Sequence, residues 1–445
     1  MKNIALVSLL ALSLTACSTA LLQRPAEQRA PAAWLVPAMD SDAQALWATW
    51  ADAPLLQLQR QALERNLDIA QASLRWQRAQ LQLQAAGLAR GLTPSLGLSA
   101  SGSKALEGGP LVRSVGLSAA IAYEADLWGR LAQAENAQAA QAEAQRSDVA
   151  AAQLLIRSQV AERYWSLAEL AQEEPLIEAQ RSGAAEVLAL TRLRVQEGKL
   201  LPIEIDKAAA TLQGLLARQA QLQRERLQHQ LALRVLLDDA QLSLPAEAHL
   251  PSPQLPALAL GNPEQVLARR PDVMRARLQV DAALAQHQAA QAARYPRLSF
   301  SAGLASGGTQ WQDWLTQPVA SLASNLMVPL VDWRRLDLQQ AQARSDVDSA
   351  ALTLRDTVHK ALQEVEQLAA ERRELLALMQ AQAARQAEAQ RTERQSRLRY
   401  EVGSIAKADW LQVRNALLAA EQEALQLRLR QAINQSSLLK ALAVG

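Results

Sequence analysis

Residues 114–124 read Ser114-Val115-Gly116-Leu117-Ser118-Ala119-Ala120-Ile121-Ala122-Tyr123-Glu124. Val115, Leu117, Ala119, Ile121 and Tyr123 alternate with Ser114, Gly116, Ser118, Ala120 and Glu124. A period of two sends successive side chains to opposite faces of a strand, so this stretch predicts a β-strand that is apolar on one side only. Upstream, Leu96, Leu98 and Ala100 alternate with Gly97, Ser99 and Ser101, and Glu107-Gly108-Gly109-Pro110 supplies the turn between the runs. The pair forms a hairpin over about 95–124. A second hairpin is expected over about 297–330. Leu298, Phe300, Ala302 and Leu304 form one of its strands and Leu322 to Leu330 the other, across the loop Ser306 to Pro318.

Strands of about ten residues with this alternation suit an outer-membrane barrel, one face to lipid and one to the lumen. Soluble hairpins packed on helices would carry the same pattern. If the strands are membrane strands, their number has a consequence. Four cannot close a barrel, since known ones start at roughly eight strands, so copies of the chain must share one. An eight-stranded barrel is filled by its own side chains, and a conducting duct therefore favours at least three copies.

Between and after the hairpins the period becomes helical. The stretch from Leu55 to Gly87 reads as a helix, and Arg130 to Gln196 and Arg335 to Tyr400 each run for about 66 residues, or about 100 Å at 1.5 Å per residue. In the latter, Val347, Ala351, Leu354, Val358, Ala361, Val365 and Leu368 recur at steps of 4 and 3, a coiled-coil seam. The former has a looser seam, Val149, Ala152, Ile156, Val160, Tyr164, Leu167 and Leu170, and Pro175 is expected to kink or end it. The fold class is thus mainly α with a small β part, a membrane part if the strands line a barrel.

The text is written twice. Asn66-Leu67-Asp68-Ile69 corresponds to Arg270-Pro271-Asp272-Val273, Pro94-Ser95-Leu96 to Pro296-Arg297-Leu298, and Gly198 with Glu204 to Gly403 with Asp409. Residues 55–243 and 263–445 are therefore two structural repeats, joined by a proline-rich linker at 244–262. Each repeat runs helix, hairpin, long helix, tight turn (at Gly198 or Gly403), helix.

Composition narrows the function. The 445 residues carry 46 basic and 44 acidic side chains, a formal net charge of +2, and so lack the basic footprint that nucleic acid binding shows. His229, His249, His287 and His359 stand far apart, with no metal-ligand spacing. No phosphate-binding glycine loop ending in Lys-Ser or Lys-Thr and no G-x-S-x-G turn occurs, so no enzyme is expected. Cys17 is the one cysteine. Basic Met1-Lys2-Asn3 and the apolar run Ile4 to Leu14 precede Leu14-Thr15-Ala16-Cys17, which resembles the bacterial lipoprotein box. That resemblance implies a signal peptide of 1–16, acylation of Cys17, and a lipid-anchored extension over 17–54. Ser18 rather than Asp after the cysteine favours outer-membrane sorting. No cofactor is expected beyond the covalent lipid on Cys17.

Several ordered motifs resemble those of the TolC-like outer membrane efflux proteins, in the lipoprotein branch of OprM and NodT type. Trp50-Ala51-Asp52-Ala53-Pro54-Leu55 with Ala62-Leu63-Glu64-Arg65-Asn66-Leu67-Asp68 is similar to the family's entry helix. Tyr123-Glu124-Ala125-Asp126-Leu127-Trp128-Gly129-Arg130 is similar to its strand-to-helix junction, and Arg269-Arg270-Pro271-Asp272-Val273 to the start of its second half. Val328-Pro329-Leu330-Val331-Asp332 fits the second junction, except that Trp333-Arg334 stand where glycines are usual. The resemblance implies a homotrimer with a 12-stranded barrel in outer-membrane lipid and an α-barrel in the periplasm. It also implies two partners: a periplasmic adaptor (membrane fusion) protein and an inner-membrane pump, of the resistance-nodulation-division type. The chain would be a passive, gated conduit. A coiled-coil lipoprotein without transport activity is the alternative.

In this family the gate lies at the periplasmic tips. The resemblance makes Gly198 and Gly403 the tip turns and Asp409 a pore acid. Glu204 is the first-half equivalent of Asp409, and Asp206 is close by. Gln412 occupies a second ring position where Asp is usual, and Tyr400 matches a polar tip position. The acids could equally cap a helix N-terminus, and Tyr400 could equally pack. Ile405 replaces an arginine latch found in some members.

Overall fold

The computed structural model describes residues 31, 33–35, 52–104, 106, 111–242, 249–251, 260–309, 318–329 and 331–443. The expected signal peptide 1–16, Cys17, most of the extension 17–54, the turn Glu107-Gly108-Gly109-Pro110 and most of the linker 244–262 lie outside them. Along the chain come α1 (Ala53–Arg65), α2 (Leu67–Leu88), β1 (Thr93–Ser103), β2 (Val112–Ala125), α3 (Arg130–Gln196) and α4 (Ile203–Leu236). The second repeat follows with α5 (Pro263–Arg269), α6 (Pro271–Ala292), β3 (Arg297–Gly308), β4 (Val319–Met327), α7 (Trp333–Glu401) and α8 (Lys407–Ala441). Among the described residues no helix is long and apolar enough to cross a membrane.

Where one helix was expected from Leu55 to Gly87, there are two, and the break is built by Asn66. Its backbone is extended, at φ −60° and ψ 131°. Its carboxamide oxygen accepts from the N–H groups of Asp68 (2.9 Å) and Ile69 (3.2 Å), capping α2. Its Nδ2 donates to the Leu236 carbonyl at 2.9 Å, closing the end of α4. Arg270 breaks the second repeat at the corresponding place. Pro271 disfavours a helical residue before it, and the guanidinium binds Asp272, Glu364 and the Ala441 carbonyl. Asn66→Ala removes two cap bonds and orphans a carbonyl. It is expected to lower unfolding stability by about 1–3 kcal/mol, read as a shift in the denaturant midpoint.

The chain forms two compact units. One comprises Arg75–Arg146 and Arg275–Asp356 and holds the strands. They form a single antiparallel sheet in the order β1-β2-β3-β4. The register pairs Leu96 with Ala119, Ala119 with Leu304 and Leu304 with Ala320 across all four strands. One face thereby collects Leu96, Leu98, Leu117, Ile121, Phe300, Leu304 and Leu322. The other collects Ser95, Gly97, Ser99, Ser118, Ser301, Gly303 and Ser321. β4 ends at Met327, opposite Arg297, and starts at Val319, three residues earlier at each end than the 322–330 expected from pattern. Pro329 has no N–H to donate into a ladder, which stops the strand short.

Below the sheet each repeat has the same strut. Arg90 bonds Glu135 at 2.6 Å, and Arg294 bonds Asp337 at 3.0 Å. The Asp126 carboxylate accepts from the N–H groups of Leu131 (3.1 Å) and Ala132 (2.8 Å), which starts α3 directly after β2.

The other unit, Arg29–Leu74, Ser147–Met274 and Thr357–Gly445, contains the main helical cores. Ile156, Val160, Tyr164, Trp165 and Leu233 are buried together with Leu55 and Leu58 of α1. The seam of α7 is buried at Val358, Ala361 and Val365 in this unit, and at Val347 and Leu354 in the first. α3 does not end at Pro175 but runs through it. The proline forfeits one backbone bond, while its flanks are held by tertiary contacts: Leu170 and Ile177 pack on Leu222 of α4, and Glu173 pairs with Arg218 of α4.

Candidate functional site

Each long helix hands over to its return helix through the same turn. The Gly198 N–H bonds the Val195 carbonyl (3.0 Å) and the Lys199 N–H bonds Arg194 (2.8 Å). The Gly403 N–H bonds Tyr400 (2.9 Å) and the Ser404 N–H bonds Arg399 (2.8 Å). These are paired Schellman closures, with glycine at the left-handed position (φ +71° and +76°). A Cβ at either glycine would meet open space, so backbone conformation alone demands the residue.

The candidate acids follow these turns. Asp409 is exposed in the first turn of α8, and its Oδ2 accepts from the Ala406 N–H at 3.3 Å. Gln412 lies one turn on and is exposed. Glu204 and Asp206 sit in the first turn of α4, Asp206 exposed and Glu204 paired with Lys207 at 2.8 Å. Tyr400 stacks on Trp410, with centroids 5.3 Å apart and planes at 4°. Asp409, Gln412, Tyr400 and Gly403 thus share one turn, and Glu204, Asp206 and Gly198 the other.

Sequence reasoning missed the groups that brace the second turn. The Trp410 indole N–H donates to Glu393 at 3.0 Å, and the Arg414 guanidinium lies 5.8 Å from the Trp410 ring centre. Lys407 pairs with Glu186 of α3, and the carboxylate raises the lysine pKa. The signal for the stack was an aromatic on each side of a turn glycine. Lys407 and Glu186 come together only through tertiary packing.

A second missed cluster lies between α3 and α4. Glu173 is 1% exposed, and Arg218 reaches both its oxygens at 2.9 and 3.0 Å. Glu225 lies 3.8 Å from the same guanidinium. Gln422 of α8 donates to Glu173 at 3.4 Å. Glu169, one turn before Glu173 and also buried, has its pKa pushed up to about 7, first by burial and then by the Glu173 charge, against the pull of Arg218. Because the folded value is raised above the unfolded one, Glu169 adds stability that is full below about pH 4.5 and is lost as pH rises through about 7. Glu169→Gln is expected to flatten that part of the stability–pH curve, measured by denaturant unfolding between pH 4.5 and 8. An unchanged slope would remove Glu169 as its source.

On the sheet, hydroxyls of the serine face meet across strands. Ser101 and Ser114 are 2.8 Å apart, while Ser118 and Ser321 reach cross-strand carbonyls at 3.4 Å. The opposite face leaves Leu96, Leu98, Leu304 and Leu322 exposed. Exposed leucines on one face and serines on the other, on a sheet with two unpaired edges, are what a barrel wall requires.

The outer membrane efflux protein profile matches residues 58–238 and 262–444, one match per repeat. The chain belongs to the outer membrane efflux protein family. The pyoverdine export outer membrane protein OpmQ of Pseudomonas aeruginosa is 27% identical, over 100% of this chain and 97% of its own length. The cation efflux system protein CusC of Escherichia coli K12 is likewise 27% identical, over 98% of each. The open state of the Neisseria gonorrhoeae MtrE outer membrane channel superposes with a TM-score of 0.83 at 24% identity, covering 95% of this chain and 98% of that one. This outer membrane efflux protein is therefore a TolC-like channel component of the outer membrane, and its helical hairpins and four-stranded sheet are the family's fold. These likenesses favour the channel over the transport-free coiled-coil lipoprotein.

Proposed function

We propose that three copies close one 12-stranded barrel and form a passive, gated conduit, fed by a periplasmic adaptor and an inner-membrane pump of the resistance-nodulation-division type. The observation that carries this reading is the sheet: among the described residues it has four strands of 9 to 14 residues, one-sided in polarity, with β1 and β4 unpaired at its edges. Such edges seek a partner strand, and joining β1 of one copy to β4 of the next closes a ring without leaving any edge. Native mass spectrometry of the detergent-solubilised protein should give three copies per particle, and a monomer would defeat the reading.

The conduit is anchored a second time by acyl chains on Cys17. Cys17→Ser should lose all incorporation of labelled palmitate, and retained label would overturn the assignment. The barrel strands should keep part of the variant in the membrane.

The tip turns form the gate. Asp409, with Glu204 and Asp206, repeats around the axis in three copies. Like charges around a narrow pore repel each other and favour cations. Tyr400 on Trp410 and Lys407 on Glu186 hold the turn shut. Relatives named for pyoverdine export and for cation efflux are similar to this chain over nearly its whole length, which supports a duct whose cargo is chosen by its pump. In planar bilayers, Asp409→Ala should lower the cation preference of the channel and, with this repulsion reduced, its open probability. No change in either would move the gate elsewhere.

A further inference from the structure

We propose that the serine–glycine face of the sheet is an uncharged lumen wall that passes water-soluble organic solutes of either charge sign, so that the β segment carries no charge filter. This rests on the conduit reading above and names the cargo class that its barrel admits.

The register supplies the argument. Rows run across all four strands, as in Thr93, Ala122, Ser301 and Ala323, or Ser95, Ala120, Gly303 and Ser321. Along this face the side chains are hydroxyl, methyl or hydrogen, apart from Val112 and Val319 at the far end, until the rows nearest the helices, where Glu124 with Asn325 and Arg297 with Met327 stand. Glu124 is itself neutralised by Arg130 at 2.8 Å. The other charged strand residue, Arg113, pairs with Gly102 and so lies on the leucine face.

Two consequences follow from chemistry. Selection by charge needs fixed charge near the path, and this face has none beyond its last rows. Small side chains also project little, so the bore is close to the widest that the strand number allows. Several serines have only a 3.4 Å contact to a carbonyl, which leaves their hydroxyls ready to exchange bonds with water or a passing polar solute.

The test uses the full chain in bilayers, with cysteines placed one at a time at Ser118 and Ser301, and at Leu117 and Leu304 on the other face. Cys17 is the chain's one native cysteine, so the unmodified protein sets the background. Cationic and anionic methanethiosulfonates are applied from the aqueous side, with rates normalised to their reaction with a free thiol. Both serine positions should react, each with a drop in conductance, and the cation-to-anion rate ratio should stay within about threefold of unity. Both leucine positions should be silent. A ratio beyond about tenfold at Ser118 or Ser301 would reveal a charge filter and overturn the proposal. Reaction at the leucines instead would reverse the faces and overturn it too. A protein that inserts but never conducts would sink the conduit reading itself. Neutral polyethylene glycols of graded size complete the measurement: Ser301→Trp should lower the size at which polymer stops entering, and an unchanged cutoff would mean that this face does not line the bore.

Discussion

Arg218→Ala is expected to destabilise the protein by about 3–5 kcal/mol, the range seen when one partner of a buried ion pair is removed. Glu173 is almost wholly enclosed, and Arg218 reaches both its oxygens. Without the guanidinium, Glu173 must stay charged in a poor dielectric or take up a proton, beside a neighbour, Glu169, that already resists ionisation. The loss should accordingly be larger at pH 8 than at pH 5. Arg218→Ala/Glu173→Leu should recover most of it, because a well-packed apolar residue needs no counter-charge. Denaturant unfolding of the detergent-solubilised protein reads all three. If Arg218→Ala cost under about 1 kcal/mol, as exposed pairs do, the cluster would be only a solvated surface bridge.

Leu304→Arg is expected to cost about 2–4 kcal/mol per protomer in a bilayer, the penalty of a charge on the lipid face near the midplane. Ser301→Arg, three residues away and on the opposite face, should leave membrane stability nearly unchanged and reduce conductance instead. The pair of variants separates the two faces by two unrelated readouts. No destabilisation by either would mean that the sheet lies wholly in water, and equal destabilisation by both that it is buried on both faces, each against the barrel. A penalty at Ser301 and none at Leu304 would turn the sheet inside out.

Much of the fold was legible because its periods are long. Alternation over β2 and the steps of 4 and 3 along α7 persist for many residues, so each signal averages over local noise. The breaks were harder to see. Asn66 interrupts a stretch whose composition is helical throughout, and only its carboxamide, bonded to α4, explains why the chain turns there. Of the two outcomes expected at Pro175, a kink or an end, the end does not occur, since tertiary contacts on either side carry α3 through a residue that ends isolated helices. β4 was misplaced because Leu322 to Leu330 is apolar past the point where Pro329 halts pairing.

At the candidate site the two turn glycines were readable from spacing and duplication. The brace around them was not, because Lys407 and Glu186 are distant in sequence. Glu173 was within reach. Continuing the steps of 3 and 4 beyond Leu170 puts Glu173, then Ile177, on the seam of α3, and an acid at a seam position asks for a buried partner.

In the proposed assembly, copies of this chain enclose a water-filled duct across the outer membrane. Single-channel recording of the purified protein in a planar lipid bilayer tests it most directly. Discrete conductance steps are expected, with a cation preference that falls when Asp409 is replaced by alanine. A preparation that inserts as a stable membrane protein but carries no current, with or without Asp409, would contradict it.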